Sequence, residues 1–178
     1  MPQAGSEKCR PGRILTRLKI ISGGQTGADR AALDVALESG LPSGGWVPRG
    51  RLAEDGRLSD SYPDLVETET ADLAERTRRN VRDADATVIV SHGPLSGGSQ
   101  LTLEEAERLQ KPVLHLDVRA LGAAVAAERL AAWLEAERPH VLNIAGPRAS
   151  EDADIYATVA AVLRTALRSA RDRPFWPD

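Results

Sequence analysis

The chain has 178 residues, of which 42% are hydrophobic and 28% charged, and a formal net charge of −3. That length suits one domain with a substantial core. The charge balance argues against a nucleic-acid polymer as partner, which calls for a strongly basic face. No apolar run approaches the roughly 20 residues that cross a bilayer, and Met1 to Arg17 lacks the apolar stretch of a secretory signal. Cys9 is the only cysteine, so no intrachain disulfide can form. A cytoplasmic protein that does not engage membranes is expected.

Residues 1–17 are polar and broken by Pro2, Gly5, Pro11 and Gly12, which reads as a loose leader. Leu18 to Ser22 is a short apolar run bounded by glycines, the pattern of a buried strand. Ala28 to Ser39 follows as a helix with Ala31, Ala32, Val35 and Ala36 on one face, and Gly40 stands where such a helix stops. From Leu41 to Pro63 the periodicity dissolves into glycine, proline and charge, with Trp46-Val47 as a short strand at most. So long a segment inside a compact domain points to a functional loop.

Thr70 to Asp83 reads as a helix and Ala86 to Ser91 as a second buried strand. Thr102-Leu103-Glu104-Glu105 fits a capping box, which starts the next helix at Thr102. Val113 to Asp117 reads as a strand, and Ala123 to Glu137 as an alanine-rich helix stopped by Pro139. Val141 to Ile144 reads as a strand, and Asp154 to Arg168 as the last helix. Residues 171–178, with Phe175 and Trp176, form a tail. Strands alternating with helices at this spacing predict an α/β, three-layer, Rossmann-like fold over 18–170, with a mainly parallel sheet covered on both faces.

Two strand-to-helix loops in this pattern carry Ser-Gly-Gly: Ser22-Gly23-Gly24-Gln25-Thr26-Gly27 and Ser96-Gly97-Gly98-Ser99. Bare backbone near a helix N-terminus, where amides lack internal partners and the macrodipole is positive, receives anions well. In a parallel sheet such loops gather at the carboxyl edge, together with a third loop from Asn143 to Ser150. The simpler alternative for each is a tight turn with no ligand. No lysine follows either glycine pair, so neither loop is a Walker A. Asp29 either complements the helix dipole or orients a ligand, and Arg30 is a solvated charge or a ligand contact. Arg49 and Arg51, close to Trp46, either clamp a phosphate or lie on the surface while Trp46 packs. Arg148 either reaches an anion or pairs with the acidic run Glu151-Asp152. His92, His115 and His140 show no metal-ligand spacing.

Ile21-Ser22-Gly23-Gly24-Gln25-Thr26-Gly27-Ala28-Asp29 resembles the opening motif of a bacterial molybdenum carrier family, a circularly permuted branch of the SLOG superfamily. Gly45-Trp46, Pro48-x-Gly50-Arg51-x-Ala53-Glu54-Asp55-Gly56, Arg76-Thr77, Asn80-Val81, Asp85-Ala86-Thr87 and Ser96-Gly97-Gly98-Ser99 continue the likeness. So do Leu101-Thr102, Lys111-Pro112 and Leu142-Asn143-x-Ala145-Gly146-Pro147-Arg148 with Ser150, so that the match runs from Lys19 to about Leu167. The resemblance implies a Rossmann-like domain that binds or carries a phosphorylated or oxyanion ligand, molybdenum cofactor or molybdate among them. The contact set is then Gly23, Gly24, Gln25, Thr26, Gly27, Asp29, Arg49, Arg51, Ser96, Gly97, Gly98, Ser99, Thr102, Asn143 and Arg148. It also implies a homo-oligomer, a dimer or tetramer. A ligand-sensing subunit is a further alternative.

Another SLOG branch cleaves the base from a nucleotide and carries Pro-Gly-Gly-x-Gly-Thr-x-x-Glu. Here Gln100-Leu101 stand where Gly-Thr would be, although Glu104 keeps the glutamate spacing. N-glycosidic hydrolysis is therefore the rival reading, with Glu104, Glu105 or Asp29 as its carboxylate.

Overall fold

A computed structural model describes residues 18–172. The leader, Cys9 and the aromatic tail at Phe175-Trp176 lie outside the described residues. Six parallel strands form the main sheet in the order β5-β2-β1-β8-β6-β7. They are β1 (Lys19–Ile21), β2 (Ser43–Val47), β5 (Leu65–Glu67), β6 (Ala86–Ser91), β7 (Val113–Asp117) and β8 (Val141–Ala145), while β3 (Leu52–Ala53) and β4 (Gly56–Arg57) pair as a small antiparallel hairpin. The helices are α1 (Ala28–Glu38), α2 (Leu73–Asp83), α3 (Gly97–Arg108), α4 (Val118–Leu121), α5 (Ala123–Glu137) and α6 (Ile155–Asp172).

Helices α1, α5 and α6 pack together on one face of the sheet, and α2 and α3 on the other. The sheet is thus the middle of three layers. Every residue of β6 is buried, as a strand covered on both faces requires. The larger core lies on the α1-α5-α6 side, where Leu130, Ile155 and Leu163 meet Ile20, Leu142 and Ile144 at zero exposure.

The order reverses in the middle. From β1 the chain moves outward through β2 to β5, returns over α2 to β6, and moves outward again to β7 before β8 closes the gap between β1 and β6. Because a parallel crossover is right-handed, opposite directions of travel place α1 and α3 on opposite faces. Their N-termini therefore diverge around the carboxyl end of β8, which is where open α/β sheets form a crevice.

The sequence expectation has no counterpart for β3, β4, β5 or α4, and three further elements differ from it. Residues 41–63 contain a full strand, β2, whose first three residues are Ser43, Gly44 and Gly45. Gly44 and Gly45 are required there, since a Cβ on Gly44 would meet the Asp64 carbonyl at 2.6 Å and one on Gly45 the Ser22 backbone. Helix α3 begins at Gly97 rather than Thr102, with Ser96 as its N-cap. The Thr102 hydroxyl accordingly donates to the Gly98 carbonyl at 2.8 Å instead of capping. Helix α2 begins at Leu73, and its N-cap Asp72 accepts the Ala74 amide at 2.9 Å.

Candidate functional site

The segments that leave β1, β6 and β8 meet the first turns of α2 around a cleft of about 320 Å³. Gln25 and Asp29 form one wall, and Asp72, Leu73, Arg76 and Thr77 of α2 a second. Gly97, Gly98, Ser99, Leu101 and Thr102 of α3 form a third, and Gly146, Arg148 and Glu151 close the side after β8.

Three amides of the first glycine loop are turned to protein acceptors rather than to this space. The Gly24 amide donates to the Ser22 hydroxyl at 3.3 Å, that of Gln25 to Asp29 at 3.3 Å, and that of Thr26 to the Gln25 side chain at 3.0 Å. The Ala28 amide, at the start of α1, donates to the Pro147 carbonyl at 3.1 Å. The β8–α6 segment lies so close that a Cβ on Gly27 would meet Pro147 O at 2.6 Å. Three amides of the expected oxyanion cradle, those of Gly24, Gln25 and Thr26, are therefore already taken by protein acceptors, and Gly23, Gly24, Thr26 and Gly27 do not line the cleft. Their glycines serve close packing instead.

That loop contributes a fixed ion pair. Asp29, 6% exposed at its side chain, receives Arg76 Nη1 at 2.7 Å. Arg76 reaches it by crossing Gly23, where its guanidinium occupies the space a Cβ would fill. Burial pushes the Asp29 carboxyl up from its ordinary range, while Arg76 and the Gln25 amide pull it back down. Arg76 Nε is buried with no partner among the described residues.

At α3 the situation is reversed. No protein group among the described residues accepts from the amides of Gly97 or Gly98, and no side chain caps the helix. Ser99, 5% exposed, lines the cleft with a hydroxyl that has no hydrogen-bond partner among the described residues. A Cβ on Gly98 would meet nothing within 4 Å. Across this opening stands Arg148, with Nε 3.4 Å from Glu151 Oε1. The pairing of Arg148 with its acidic neighbour, the simpler of the two sequence readings, is the arrangement present.

Seven of the expected contact residues thus come together: Gln25, Asp29, Gly97, Gly98, Ser99, Thr102 and Arg148. Others do not. Arg51 donates to the carbonyls of Ser59 at 2.8 Å and Tyr62 at 3.4 Å, so it braces the loop after β4. Arg49 is exposed and outside the lining, and Ser96 lies behind it as the α3 N-cap. Asn143 is buried in the sheet with its Nδ2 3.4 Å from the Thr87 hydroxyl. Trp46 lies under the Arg79 guanidinium at 4.6 Å and donates Nε1 to Asp83, on the α2 flank rather than in the cleft. Arg30 pairs with Asp55 at 3.1 Å.

Neither glutamate proposed for hydrolysis reaches the cleft. Glu104 is exposed and accepts from Gln100 at 2.9 Å. Glu105 is bound by Arg108 at 2.7 and 2.9 Å, a hydrogen-bonded pair that holds its carboxyl below the usual range. Among the described residues no group of three or more His, Cys, Asp or Glu has the arrangement of a metal site.

The α2 wall was not expected to contribute. Asp72, Leu73, Arg76 and Thr77 sit on a polar helix whose pattern resembles an ordinary solvated one. Only the Arg76-Thr77 pair, within the family-like motifs, pointed toward it. In the sequence, Glu151 and Asp152 stand as partners for Arg148 and as acids that disfavour an anion at the start of the last helix.

Comparison with known proteins agrees with this architecture. No curated protein matches the chain. A crystal structure of a protein from Syntrophus aciditrophicus SB, named "putative molybdenum carrier protein", is 51% identical, superposes with a TM-score of 0.81, and is matched over 84% of this chain and 94% of that one. The model of the circularly permutated YpsA SLOG family matches residues 20–167. With its parallel sheet, its cleft at the point of reversal and that match over most of its length, the chain belongs to the circularly permutated YpsA SLOG family.

Proposed function

We propose that the protein binds and carries a small ligand bearing a phosphate or another tetrahedral oxyanion, seated at the N-terminus of α3. One observation supports this most: Gly97, Gly98 and Ser99 line the cleft together, and no protein group among the described residues accepts from the two glycine amides or pairs with the Ser99 hydroxyl. Gly97 and Gly98 are exposed, so their amides are open to a ligand, and a helix N-terminus favours a negative one. Arg76 and Arg148 supply positive charge from two sides. Leu73 and Leu101 supply an apolar edge for the body of the ligand. At about 320 Å³ the cleft is near the lower end of the roughly 300–1,000 Å³ typical of small-molecule sites.

Molybdenum cofactor, a pterin that carries a phosphate, and molybdate both present this kind of group. The name borne by the Syntrophus aciditrophicus SB relative favours them as cargo. Carriage suits the site better than N-glycosidic hydrolysis, because Glu104 and Glu105 point elsewhere and Asp29 is committed to Arg76. Such a carrier would work in the cytoplasm.

Calorimetric titration of the full chain with molybdate, a pterin phosphate and a nucleoside monophosphate tests the reading. At least one should bind, and Gly98→Ala should weaken it about tenfold or more by placing a methyl in front of the free amides. The same variant should leave the fold intact, and even gain a few tenths of a kcal/mol from the better helix former. Failure of all three ligands to bind the wild-type chain would overturn the proposal.

A further inference from the structure

The cleft contains two ion pairs of opposite character. Asp29 and Arg76 are 6% and 13% exposed at their side chains, so separating them would strand a charge in the interior. Arg148 and Glu151 are 37% and 46% exposed, three residues apart in one turn. An exposed pair of this kind is weakly held, and water readily takes over from either partner. One pair is therefore fixed and the other replaceable.

Glu151 is also placed where an anion would go. Its Oε1 is 3.8 Å from the position of a Cβ on Gly97 and 3.4 Å from Arg148 Nε, so it stands between the free α3 amides and the guanidinium. Its Oε2 accepts the Arg148 amide at 3.2 Å, which tethers the carboxylate within its own turn. Arg76 adds an independent sign that something else belongs here, since its Nε is buried in the cleft wall with no partner among the described residues, and Ser99, 5% exposed, lines the same cleft without a hydrogen-bond partner among them.

We infer that Glu151 is an exchangeable internal occupant of the anion corner: an arriving oxyanion takes Arg148 over from it and adds the Gly97-Gly98 amides that the carboxylate leaves unpaired, and the carboxylate swings out to solvent. This rests on the anion-binding reading above. The consequence is a threshold. Every anion must displace the same carboxylate, so a ligand that makes fewer contacts than Glu151 stays out, while one that also engages Ser99 and the apolar edge enters. Glu151 is thereby a residue that sets specificity without needing to touch the bound ligand.

Two tetrahedral oxyanions of similar size and different charge, molybdate (a dianion) and perrhenate (a monoanion), discriminate the possibilities. Each is titrated calorimetrically into the wild-type full chain, Glu151→Gln, Arg148→Gln and the double variant. Glutamine retains an oxygen for the Arg148 amide, so the turn is preserved. Exchange predicts that Glu151→Gln strengthens both anions by the same factor, about two- to fivefold, the range expected for an exposed pair. It also predicts that the gain shrinks when Arg148 is already glutamine.

A larger gain for molybdate than for perrhenate would mean that Glu151 stays in place and merely repels, which would overturn exchange and leave the anion site standing. Equal affinities in wild type and Glu151→Gln would overturn it too. Absence of binding in every variant would overturn both this inference and the site beneath it.

Discussion

Gly23 and Gly98 are both glycines of a Ser-Gly-Gly loop, yet their surroundings give them opposite roles. Gly23 lacks a side chain so that the Arg76 guanidinium can cross it to reach Asp29, whereas Gly98 faces open space beside unpartnered amides. A methyl on Gly23 would push Arg76 away and leave Asp29 buried without its cation. Breaking a buried pair in this way typically costs about 3 kcal/mol. Gly23→Ala should therefore lower the unfolding free energy by about that amount in a urea titration. An unchanged midpoint would show that Arg76 moves aside without loss. The local sequence, Ser-Gly-Gly in both cases, could not separate these roles, because what distinguishes them is an arginine from α2, more than fifty positions away from Gly23 along the chain.

Among the elements, the β3–β4 hairpin has the least regular structure and an important position. At its tip Glu54 accepts from the hydroxyls of Ser150, at 2.5 Å, and Thr26, and from the Ser150 amide at 3.0 Å. Its own amide donates to Gln25 Oε1 at 2.8 Å, and Thr26 in turn accepts the Ala149 amide at 3.1 Å. The hairpin thus clamps the first glycine loop to the turn that carries Arg148 and Glu151. The Ser150 hydroxyl foremost, and then that of Thr26, hold the Glu54 carboxyl below its ordinary value of 4.5. A depressed carboxylate contributes stability that is complete above 4.5 and fades as pH falls through the lower folded value. The NMR shift of the Ser150 amide should accordingly titrate with a midpoint below 4.5, and Glu54→Gln should abolish that transition. A midpoint at or above 4.5 would refute the clamp. The segment Ala53-Glu54-Asp55-Gly56 belongs to the family-like motifs of the sequence, but its partners at 26, 30 and 150 come from separate parts of the chain.

The same contrast applies to α3. Its capping box at Thr102-Glu105 is a sound local signal, and the helix overrides it because glycines in a first turn need no internal acceptors for their amides. Extending the helix back to Gly97 turns a presumed loop into the wall of the cleft. Here a local preference lost to the packing of α3 against α2 and β6.

At the scale of the whole molecule, the edges of the sheet are β5 and β7, and the exposed large hydrophobics Leu37, Leu52, Val66, Val125 and Tyr156 are spread over several elements. No helix among the described residues is long and apolar enough to cross a membrane. The resemblance to SLOG proteins leads us to propose a dimer or tetramer in solution. Light scattering should then return two or four times the 19.1 kDa of one chain, and a mass of 19.1 kDa would refute it.

Periodicity and punctuation along the chain were enough to locate β1, α1, β6, β7, α5 and β8 within a residue or two, and hence a three-layer α/β fold with its loops at one edge. That information is local: a buried parallel strand must be a short apolar run, and a helix against a sheet must be amphipathic. Several of the family-like motifs contribute residues to the lining of the cleft. Which glycine loop stays open is not a local property. It depends on Pro147 accepting the first amide of α1 while no group among the described residues accepts those of Gly97 and Gly98 at α3, and on Arg76 and Glu151 arriving from distant segments. Amide availability is decided by which acceptors the packed chain brings within hydrogen-bond reach, and two identical tripeptides acquire different functions once their neighbours differ.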